Sequence, residues 1–263
     1  IKKNKQLHFA AENICAKKRS EFQNIEKIFL IKQSNQNKKV YKLGKIRNLI
    51  TKNHEKTKRN YLSRMNNNKI YCMKISKKYN QNYWDGDRKF GYGGYKYIPG
   101  YHADLARKLI NNYSLHSNSR ILDLGCGKGF LLYEIKKILK DIKIVGVDSS
   151  KYAIKNSKKK IKKNIFLNDL NKKLKFPDKS FDLILSINTL HNLKIEKVVN
   201  CLSEIERIGI SKFICVESFR NEAEQFNLQC WALTAETIID VNSWKWLFKI
   251  AKYTGDYEFI YFK

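Results

Sequence analysis

Ile121-Leu-Asp-Leu-Gly-Cys-Gly-Lys-Gly129 is the stretch that decides the fold of this chain. An apolar run ends in a leucine that follows an acid, and it leads directly into a turn with glycine at every second position. Without Cβ atoms the backbone can turn tightly and admit a ligand, and the helix that follows presents unpaired N–H groups. A Walker loop is excluded because Leu122 stands where it needs its first glycine. The stretch therefore predicts a strand, a ligand-binding turn and a helix.

From residue 100 onward, apolar runs alternate with helical patterns. Such alternation is typical of a parallel sheet with helices on both faces. We predict strands at 120–124, 143–148, 165–168, 181–187 and 212–218, helices at 129–140, 150–163, 194–207, 221–235 and 243–253, and a last strand at 257–262. Because that last strand is terminal and follows Thr254-Gly255-Asp256, we expect it to insert antiparallel beside the fifth. The predicted fold is an α/β, Rossmann-like, doubly wound and mainly parallel sheet of six to seven strands.

Acidic residues stand at the ends of the next two predicted strands. Asp148 ends the second strand, 23 residues after Gly125, and Asp169 follows the third. A carboxylate in the first of these positions can accept hydrogen bonds from the two hydroxyls of a ribose. Taken singly, either acid could equally be a turn or N-cap residue. Together with the glycine turn they predict a nucleoside pocket at the carboxyl edge of the sheet, without a phosphate-directed cation.

This order of motifs resembles that of class I S-adenosylmethionine-dependent methyltransferases over roughly residues 83–263. The likeness is carried by Asp123-x-Gly125-x-Gly127-x-Gly129, Val147-Asp148-Ser149, Asn168-Asp169-Leu170 and the strand from Ser180 to Asn188. The resemblance implies S-adenosylmethionine as the cofactor and methyl transfer by in-line displacement. A nicotinamide-dependent enzyme is the alternative for the glycine turn, but the glycine spacing and the acid after the third strand argue against it.

The same resemblance implies a role for each motif. Asp123 and Gly125 would face the methionyl ammonium and Asp148 the ribose diol. Asp169 would face the adenine amino group and Asn188 the sulfonium side. The candidate cofactor-binding residues are Asp123, Gly125, Cys126, Gly127, Gly129, Asp148, Ser149, Asp169, Leu170 and Asn188.

A closer resemblance is to a group of bacterial methyltransferases. It rests on Trp84-Asp-Gly-Asp-Arg-Lys-Phe-Gly-Tyr-Gly-Gly-Tyr95, Ser186-Ile-Asn-Thr-Leu-His-Asn-Leu193 and Glu217-Ser-Phe-Arg-Asn-Glu222. This chain departs from the group at Gly100-Tyr101-His102, where the group has Gly-Arg-Trp. The likeness therefore implies no particular methyl acceptor.

Residues 83–101 hold seven aromatic residues and five glycines, a density unlike that of a plain helix or strand. We predict that this segment is an adaptable lid, whose aromatic faces attract the sulfonium cation and keep water out. Tyr95 within it is a candidate catalytic residue. The alternative is that these rings only pack residues 1–80 onto the sheet.

Two further candidate catalytic residues follow the fourth and fifth predicted strands. His191 stands where a methyltransferase substrate would bind, so it is a candidate base, and a hydrogen-bonded structural histidine is an equal alternative. Glu217, with Arg220 close by, is placed to contact substrate, and the alternative for this pair is a surface salt bridge.

The formal net charge of +29 is concentrated at the front of the chain. Residues 1–80 carry 22 basic and 4 acidic side chains, a net charge of +18. Apolar residues 25, 28 and 29 form one helical stripe, and residues 62, 65, 72, 73 and 75 form another that Asn66-Asn67-Asn68 interrupts. We therefore predict a basic helical N-terminal extension over 1–80 and a methyltransferase domain over 81–263. Lysine outnumbers arginine 44 to 9, which is also the pattern of an AT-rich coding sequence.

Cysteine spacing signals neither a zinc module nor a disulfide framework, and no metal site is predicted. Reduced thiols and the absence of a long apolar run favour a cytoplasmic protein without a membrane span. The chain begins at Ile1 rather than Met, which is consistent with a fragment. We expect a small-molecule methyl acceptor, since no established nucleic-acid module is present. The alternative is an RNA or protein methyltransferase that docks through the basic segment.

Overall fold

Six strands form one parallel sheet in the computed structural model, which describes residues 41–55 and 57–263. The strands are β1 Arg120–Leu124, β2 Lys143–Asp148, β3 Ile165–Leu167, β4 Phe181–Ile187, β5 Gly209–Glu217 and β6 Asp256–Ile260. Their order across the sheet is β3-β2-β1-β4-β5-β6. The chain thus winds outward from β1 to β3 on one side and then from β4 to β6 on the other. The strand order reverses between β1 and β4, and open α/β sheets bind ligands at the carboxyl ends of the strands there.

Helices cover both faces of this sheet. Their bounds are α1 Thr51–Glu55, α2 Tyr61–Asn66, α3 Lys69–Ser76, α4 Gln81–Asp85, α5 Ala103–Asn112, α6 Phe130–Ile138, α7 Lys151–Lys155, α8 Ile195–Ile208, α9 Glu222–Trp231 and α10 Val241–Ile250. Successive strand side chains point to opposite faces, so Ile121 and Leu122 enter different apolar clusters. Helices α8 and α10 pack in the cluster of Leu122, whereas α5, α6 and α9 pack in that of Ile121. No helix in the described part of the chain is long and apolar enough to cross a membrane.

The last strand runs parallel to its neighbour, so the prediction of an antiparallel terminal strand was wrong. β5 and β6 are paired in register from Phe213 with Asp256 to Glu217 with Ile260. The reason is the path of α10, which packs on one face of the sheet and returns the chain to the amino end of β5. There Lys212 Nζ donates a hydrogen bond to Thr254 Oγ1 over 3.1 Å. Parallel pairing requires such a crossover connection.

Residues 41–80 belong to the same compact unit as the sheet. This unit extends from Tyr41 to Lys263. Ile46 forms a parallel bridge with Tyr257 at the outer edge of β6. Helices α2 and α3 are separated at Asn67 and Asn68, as the interrupted stripe predicts, and Asn68 has a positive φ of 42°. The predicted domain boundary after residue 80 falls within this unit and stays a prediction. Residues 25, 28 and 29 of the first predicted stripe lie outside the described residues.

Candidate functional site

The glycine turn after β1 has a backbone that only glycine accommodates well. Gly125, Gly127 and Gly129 have φ angles of 77°, 56° and 70°, all in the left-handed region. A Cβ on Gly125 would lie 2.1 Å from Thr189 Oγ1, and one on Gly127 would lie 2.9 Å from the Trp84 ring. The main chain of the turn therefore lies so close to Thr189 and Trp84 that a side chain at Gly125 or Gly127 would clash with them.

Asp148 ties the end of β2 to this turn. Its Oδ2 accepts a hydrogen bond from the Gly127 N–H at 2.7 Å, and its Oδ1 accepts one from the Ser150 N–H at 2.8 Å. Burial raises the pKa of Asp148, and these backbone donors oppose that rise. Each carboxylate oxygen keeps a second lone pair for another donor. The carboxylate can therefore hold the turn and still accept hydrogen bonds from a ligand.

Asp123 is a second buried acid beside Asp148. The residue is 5% exposed. Burial, together with the charge of Asp148, raises the pKa of Asp123 to about 7. A cation next to Asp123 would offset the cost of ionising this side chain. The end of β1 is thus electrostatically suited to a positively charged group.

A cavity of about 200 Å³ opens at the carboxyl edge of the sheet. Among the predicted cofactor-binding residues, its walls include Gly125, Asp148, Ser149, Asp169, Leu170 and Asn188. The other four belong to the glycine motif: Asp123 lies near the end of β1, and Cys126, Gly127 and Gly129 form the turn. The structure therefore brings all ten predicted residues to one edge of the sheet. Asp169 is exposed there and accepts a hydrogen bond from the Asn171 N–H at 3.0 Å.

Two amide oxygens in the cavity wall lack partners among the described residues. The Oδ1 atoms of Asn188 and Asn192 are buried and accept no hydrogen bond. Asn188 also has a positive φ of 54°, which turns the chain sharply after β4. A buried acceptor left unpaired costs free energy, so a ligand that donates to it is favoured. S-adenosylmethionine carries amino, ammonium and hydroxyl donors, and this wall fits it.

Aromatic side chains form the opposite wall of the cavity. Tyr79, Tyr83, Trp84 and Tyr92 line it. Trp84 Nε1 donates to Ser150 Oγ at 2.8 Å, and its ring stacks on Tyr92 with centroids 5.3 Å apart. The segment predicted as a lid therefore lies against the cavity. The alternative also has support, since Phe90 of the same segment packs edge-on against Tyr71 of α3.

A buried ion pair joins this aromatic segment to the glycine turn. Lys128 Nζ lies 2.8 and 2.7 Å from the two carboxylate oxygens of Asp85, and it donates to the Tyr95 carbonyl at 2.7 Å. The Tyr95 ring stacks on Phe130 of α6 with centroids 5.1 Å apart. Burial raises the pKa of the Tyr95 hydroxyl far above its usual value, so the side chain remains a neutral phenol.

His191 faces Glu217 rather than the cavity. Its Nε2 lies 3.5 Å from Glu217 Oε2, and its Nδ1 accepts a hydrogen bond from the Glu217 N–H at 3.2 Å. Burial lowers the pKa of His191 while Glu217 opposes the change, so the ring is neutral near pH 7. Arg220 forms its ion pair with Glu224 instead of Glu217. Among the described residues, His191 and Glu217 therefore lie together. The salt bridge between Glu217 and Arg220 that the sequence offered as an alternative is not formed.

Sequence reasoning missed Asn192 and Tyr79, which both line the cavity. Asn192 lies four residues after Asn188, and its Nδ2 donates to the Asn188 carbonyl at 3.2 Å. That spacing within a short helical turn is a signal that could have identified it. Tyr79 belongs to the segment predicted as an extension, and no local pattern links it to the sheet.

Two family models match this chain. A family model described as a methyltransferase domain matches residues 115–252, and a model of protein-L-isoaspartate(D-aspartate) O-methyltransferase matches residues 44–176. The chain therefore belongs to the methyltransferase domain family. It is an S-adenosylmethionine-dependent methyltransferase, and S-adenosylmethionine is its cofactor. No curated protein matches the chain.

Solved structures with a similar arrangement are distant in sequence. A SAM-dependent methyltransferase from Archaeoglobus fulgidus is 23% identical, with 57% of this chain and 68% of that chain covered and a TM-score of 0.45. The YcgJ protein from Bacillus subtilis is 17% identical, with 57% and 67% covered and a TM-score of 0.45. A SAM-dependent methyltransferase from Aquifex aeolicus is 23% identical, with 43% and 68% covered and a TM-score of 0.34.

Proposed function

We propose that this methyltransferase moves a methyl group by in-line displacement to a nucleophile on a small molecule. The observation that carries the proposal is the cavity between the glycine turn and the aromatic wall of Tyr79, Tyr83, Trp84 and Tyr92. Such a wall encloses a compact acceptor and keeps water from the reacting atoms. Small-molecule sites are commonly concave and lined by aromatic side chains with a few polar groups.

For the cofactor we propose the contacts that the family resemblance implies. Asp148 with Ser149 would hold the ribose, and Asp169 with Leu170 the adenine. Asp123 and Gly125 would take the methionyl ammonium, because a cation offsets the burial of Asp123. Asn188 would lie at the sulfonium side. Gly127 and Gly129 would let the main chain approach the ligand, with Cys126 in the same turn.

The cofactor supplies an electrophilic methyl group on a positively charged sulfur. The residues of the chain then have to orient the acceptor and exclude water rather than provide strong acid or base. Orientation of this kind contributes up to about 7–11 kcal/mol at its limit. Tyr95 packs on Tyr92 and Trp84, which line the cavity, and so supports the aromatic wall from behind. A base is required only when the nucleophile arrives protonated.

Glu217 and His191 are the residues that we propose act on the proton of such a nucleophile. The Glu217 side chain is 16% exposed, whereas that of His191 is 5% exposed. We propose that Glu217 contacts the acceptor and takes its proton, and that the Nε2–H of neutral His191 orients the Glu217 carboxylate. The 3.5 Å separation of His191 Nε2 and Glu217 Oε2 supports this coupling.

The acceptor class is tested by methyl transfer from radiolabelled cofactor into a cell extract, followed by separation at about 3 kDa. We expect label in the small-molecule fraction. Label confined to the retained protein or RNA would overturn the proposal. A protein acceptor is the second candidate, since the protein-isoaspartate methyltransferase model matches residues 44–176.

The cofactor site is tested with Asp148→Asn. We expect S-adenosylmethionine to bind about 10–100-fold more weakly by calorimetry, because a charge-assisted hydrogen bond contributes roughly 1.5–3 kcal/mol. Asp141→Asn is the matched control, since Asp141 is an exposed aspartate just before β2, at the other edge of the sheet. Equal affinity in the two variants would refute the ribose assignment.

A further inference from the structure

Three arginine side chains converge on one tryptophan at the end of α9. The guanidinium carbons of Arg59, Arg64 and Arg88 lie 5.4, 4.8 and 5.4 Å from the centre of the Trp231 ring. Three of the nine arginines of this lysine-rich chain therefore share a single ring. Attraction to the ring offsets only part of the repulsion between the three like charges.

Lys69 adds a fourth positive charge beside them. Its Nζ donates to the carbonyl of Cys230 at 2.7 Å and to that of Ala232, the residues on either side of Trp231. Burial, together with the charge of Arg64, lowers the pKa of Lys69 to about 8. Arg59, Arg64, Lys69 and Arg88 are called the cationic cluster below.

The cationic cluster has no carboxylate in ion-pair contact among the described residues. The ion pairs of neighbouring segments are formed by Lys77, Lys89 and Arg220 instead. The Nε atoms of Arg59 and Arg64 are buried and have no hydrogen-bond partner among the described residues. Like charges gathered in this way cost free energy in the empty protein, and unpaired donors add to that cost. An oxyanion would relieve both, and the guanidinium fork matches carboxylate and phosphate geometry.

The cationic cluster begins where the aromatic wall of the cavity ends. Arg88 Nη1 donates a hydrogen bond to the carbonyl of Gly91, and the next residue, Tyr92, lines the cavity. A Cβ on Gly93 would lie 2.9 Å from Arg88 Cδ, so the Arg88 side chain also packs against the residue that follows Tyr92. An acceptor in the cavity therefore has the Arg88 end of the cationic cluster beside it.

We propose that the cationic cluster binds an oxyanion, phosphate or carboxylate, that the methyl acceptor carries apart from the atom that is methylated. This rests on the proposed function, in which the acceptor is a small molecule. The anionic group anchors the acceptor, and no bond to it forms or breaks.

Anion binding is tested by titrating the full chain with inorganic phosphate and, separately, with acetate at constant ionic strength. We expect at least one of them to bind saturably. In Arg88→Gln we expect a loss of affinity of at least tenfold, about 1.4 kcal/mol. Arg88 is exposed, so this variant should fold, and Arg64→Gln is the second variant. Arg107→Gln, an exposed arginine on α5, is the matched control and should bind as the parent does.

Absence of saturable binding by both anions would overturn the proposal, as would equal affinity in Arg88→Gln, Arg64→Gln and Arg107→Gln. Cofactor affinity, measured by calorimetry in the same variants, should stay unchanged. That readout separates failure of the anion site from failure of the cofactor site.

The acceptor itself is tested with the labelled small-molecule fraction. We expect the methylated product to be retained on an anion exchanger. Release by alkaline phosphatase identifies a phosphate, and retention after that treatment identifies a carboxylate. Label that flows through as a neutral or cationic small molecule contradicts the anion site and leaves the small-molecule proposal intact. Label only in macromolecules contradicts the proposed function instead.

Discussion

At the scale of one residue, the burial of Asp123 makes ionisation of its carboxyl group unfavourable in the folded protein. Its pKa of about 7 lies well above the ordinary value of 3.8, because the native state buries it beside Asp148. The folded protein therefore holds this proton between about pH 4 and 7, where the unfolded chain releases it. The free energy of unfolding must fall as pH rises through that window.

Asp123→Asn should remove this pH dependence. We expect the variant without cofactor to be more stable than the parent at pH 8 by about 2–4 kcal/mol, since each pKa unit corresponds to about 1.36 kcal/mol. At pH 4 the difference should fall below about 1 kcal/mol, because Asp123 of the parent is then protonated in the folded state and partly protonated in the unfolded chain. Urea unfolding at the two pH values measures it, with Asp141→Asn as the control. Parallel stability profiles for parent and Asp123→Asn would contradict the burial argument.

His191→Gln tests the coupling to Glu217. The His191 ring accepts the Glu217 N–H at one nitrogen and faces the Glu217 carboxylate with the other, and Gln cannot span both contacts in the same geometry. We therefore expect turnover to fall at least tenfold with KM little changed. The acidic limb of the pH–rate profile should shift as well, which a purely structural role would not cause. Full turnover across the pH range would remove His191 from the mechanism.

At the scale of elements, the contact that matters is the one between the glycine turn and the aromatic segment. Lys128 on the turn and Asp85 at the end of α4 have side chains that are 5% and 23% exposed. Asp85 also accepts hydrogen bonds from the Tyr95 N–H and the Tyr152 hydroxyl at 3.0 and 2.9 Å. One ion pair thus holds together the two elements that enclose the cavity.

Asp85→Asn should leave Lys128 buried without its counter-charge. We expect a loss of about 3 kcal/mol in the free energy of unfolding, near the lower end for a broken buried pair. Combining it with Lys128→Met should recover part of that loss, because no uncompensated charge remains. Asp87→Asn is the matched control, since Asp87 is exposed and pairs with Lys89. A double variant as unstable as the sum of its singles would show that the two side chains act independently.

At the scale of the whole molecule, residues 45–51 cover the outer edge of β6. Glu258 is 1% exposed and accepts the backbone N–H groups of Leu49, Ile50 and Thr51 at 2.7–2.9 Å. Its carboxylate therefore fixes the start of α1 and caps the sheet edge. An uncovered edge presents unpaired backbone groups and invites aggregation.

Glu258→Ala should detach this cover. Glu258→Ala removes the acceptor of three backbone N–H groups. Each buried donor left without a partner costs about 1–3 kcal/mol. We therefore expect the free energy of unfolding to fall by about 3 kcal/mol or more. Glu258→Gln keeps one oxygen and should lose less. Glu196→Ala is the matched control, since Glu196 is exposed on the first turn of α8. It should change the free energy of unfolding by no more than about 0.5 kcal/mol. Equal stability of Glu258→Ala and Glu196→Ala in urea would refute the anchoring role.

The sequence alone determined the strand–turn–helix at residues 121–129 and the acids at the ends of β2 and β3. These features are local: apolar periodicity defines each strand, and parallel strands bring their carboxyl ends to one edge. Tertiary structure decided the direction of β6, because that depends on where α10 returns the chain. It also decided the pairing of His191 with Glu217 and the gathering of Arg59, Arg64 and Arg88 on Trp231. Those contacts join segments far apart in the chain, and no local pattern of residues encodes which distant surfaces will meet.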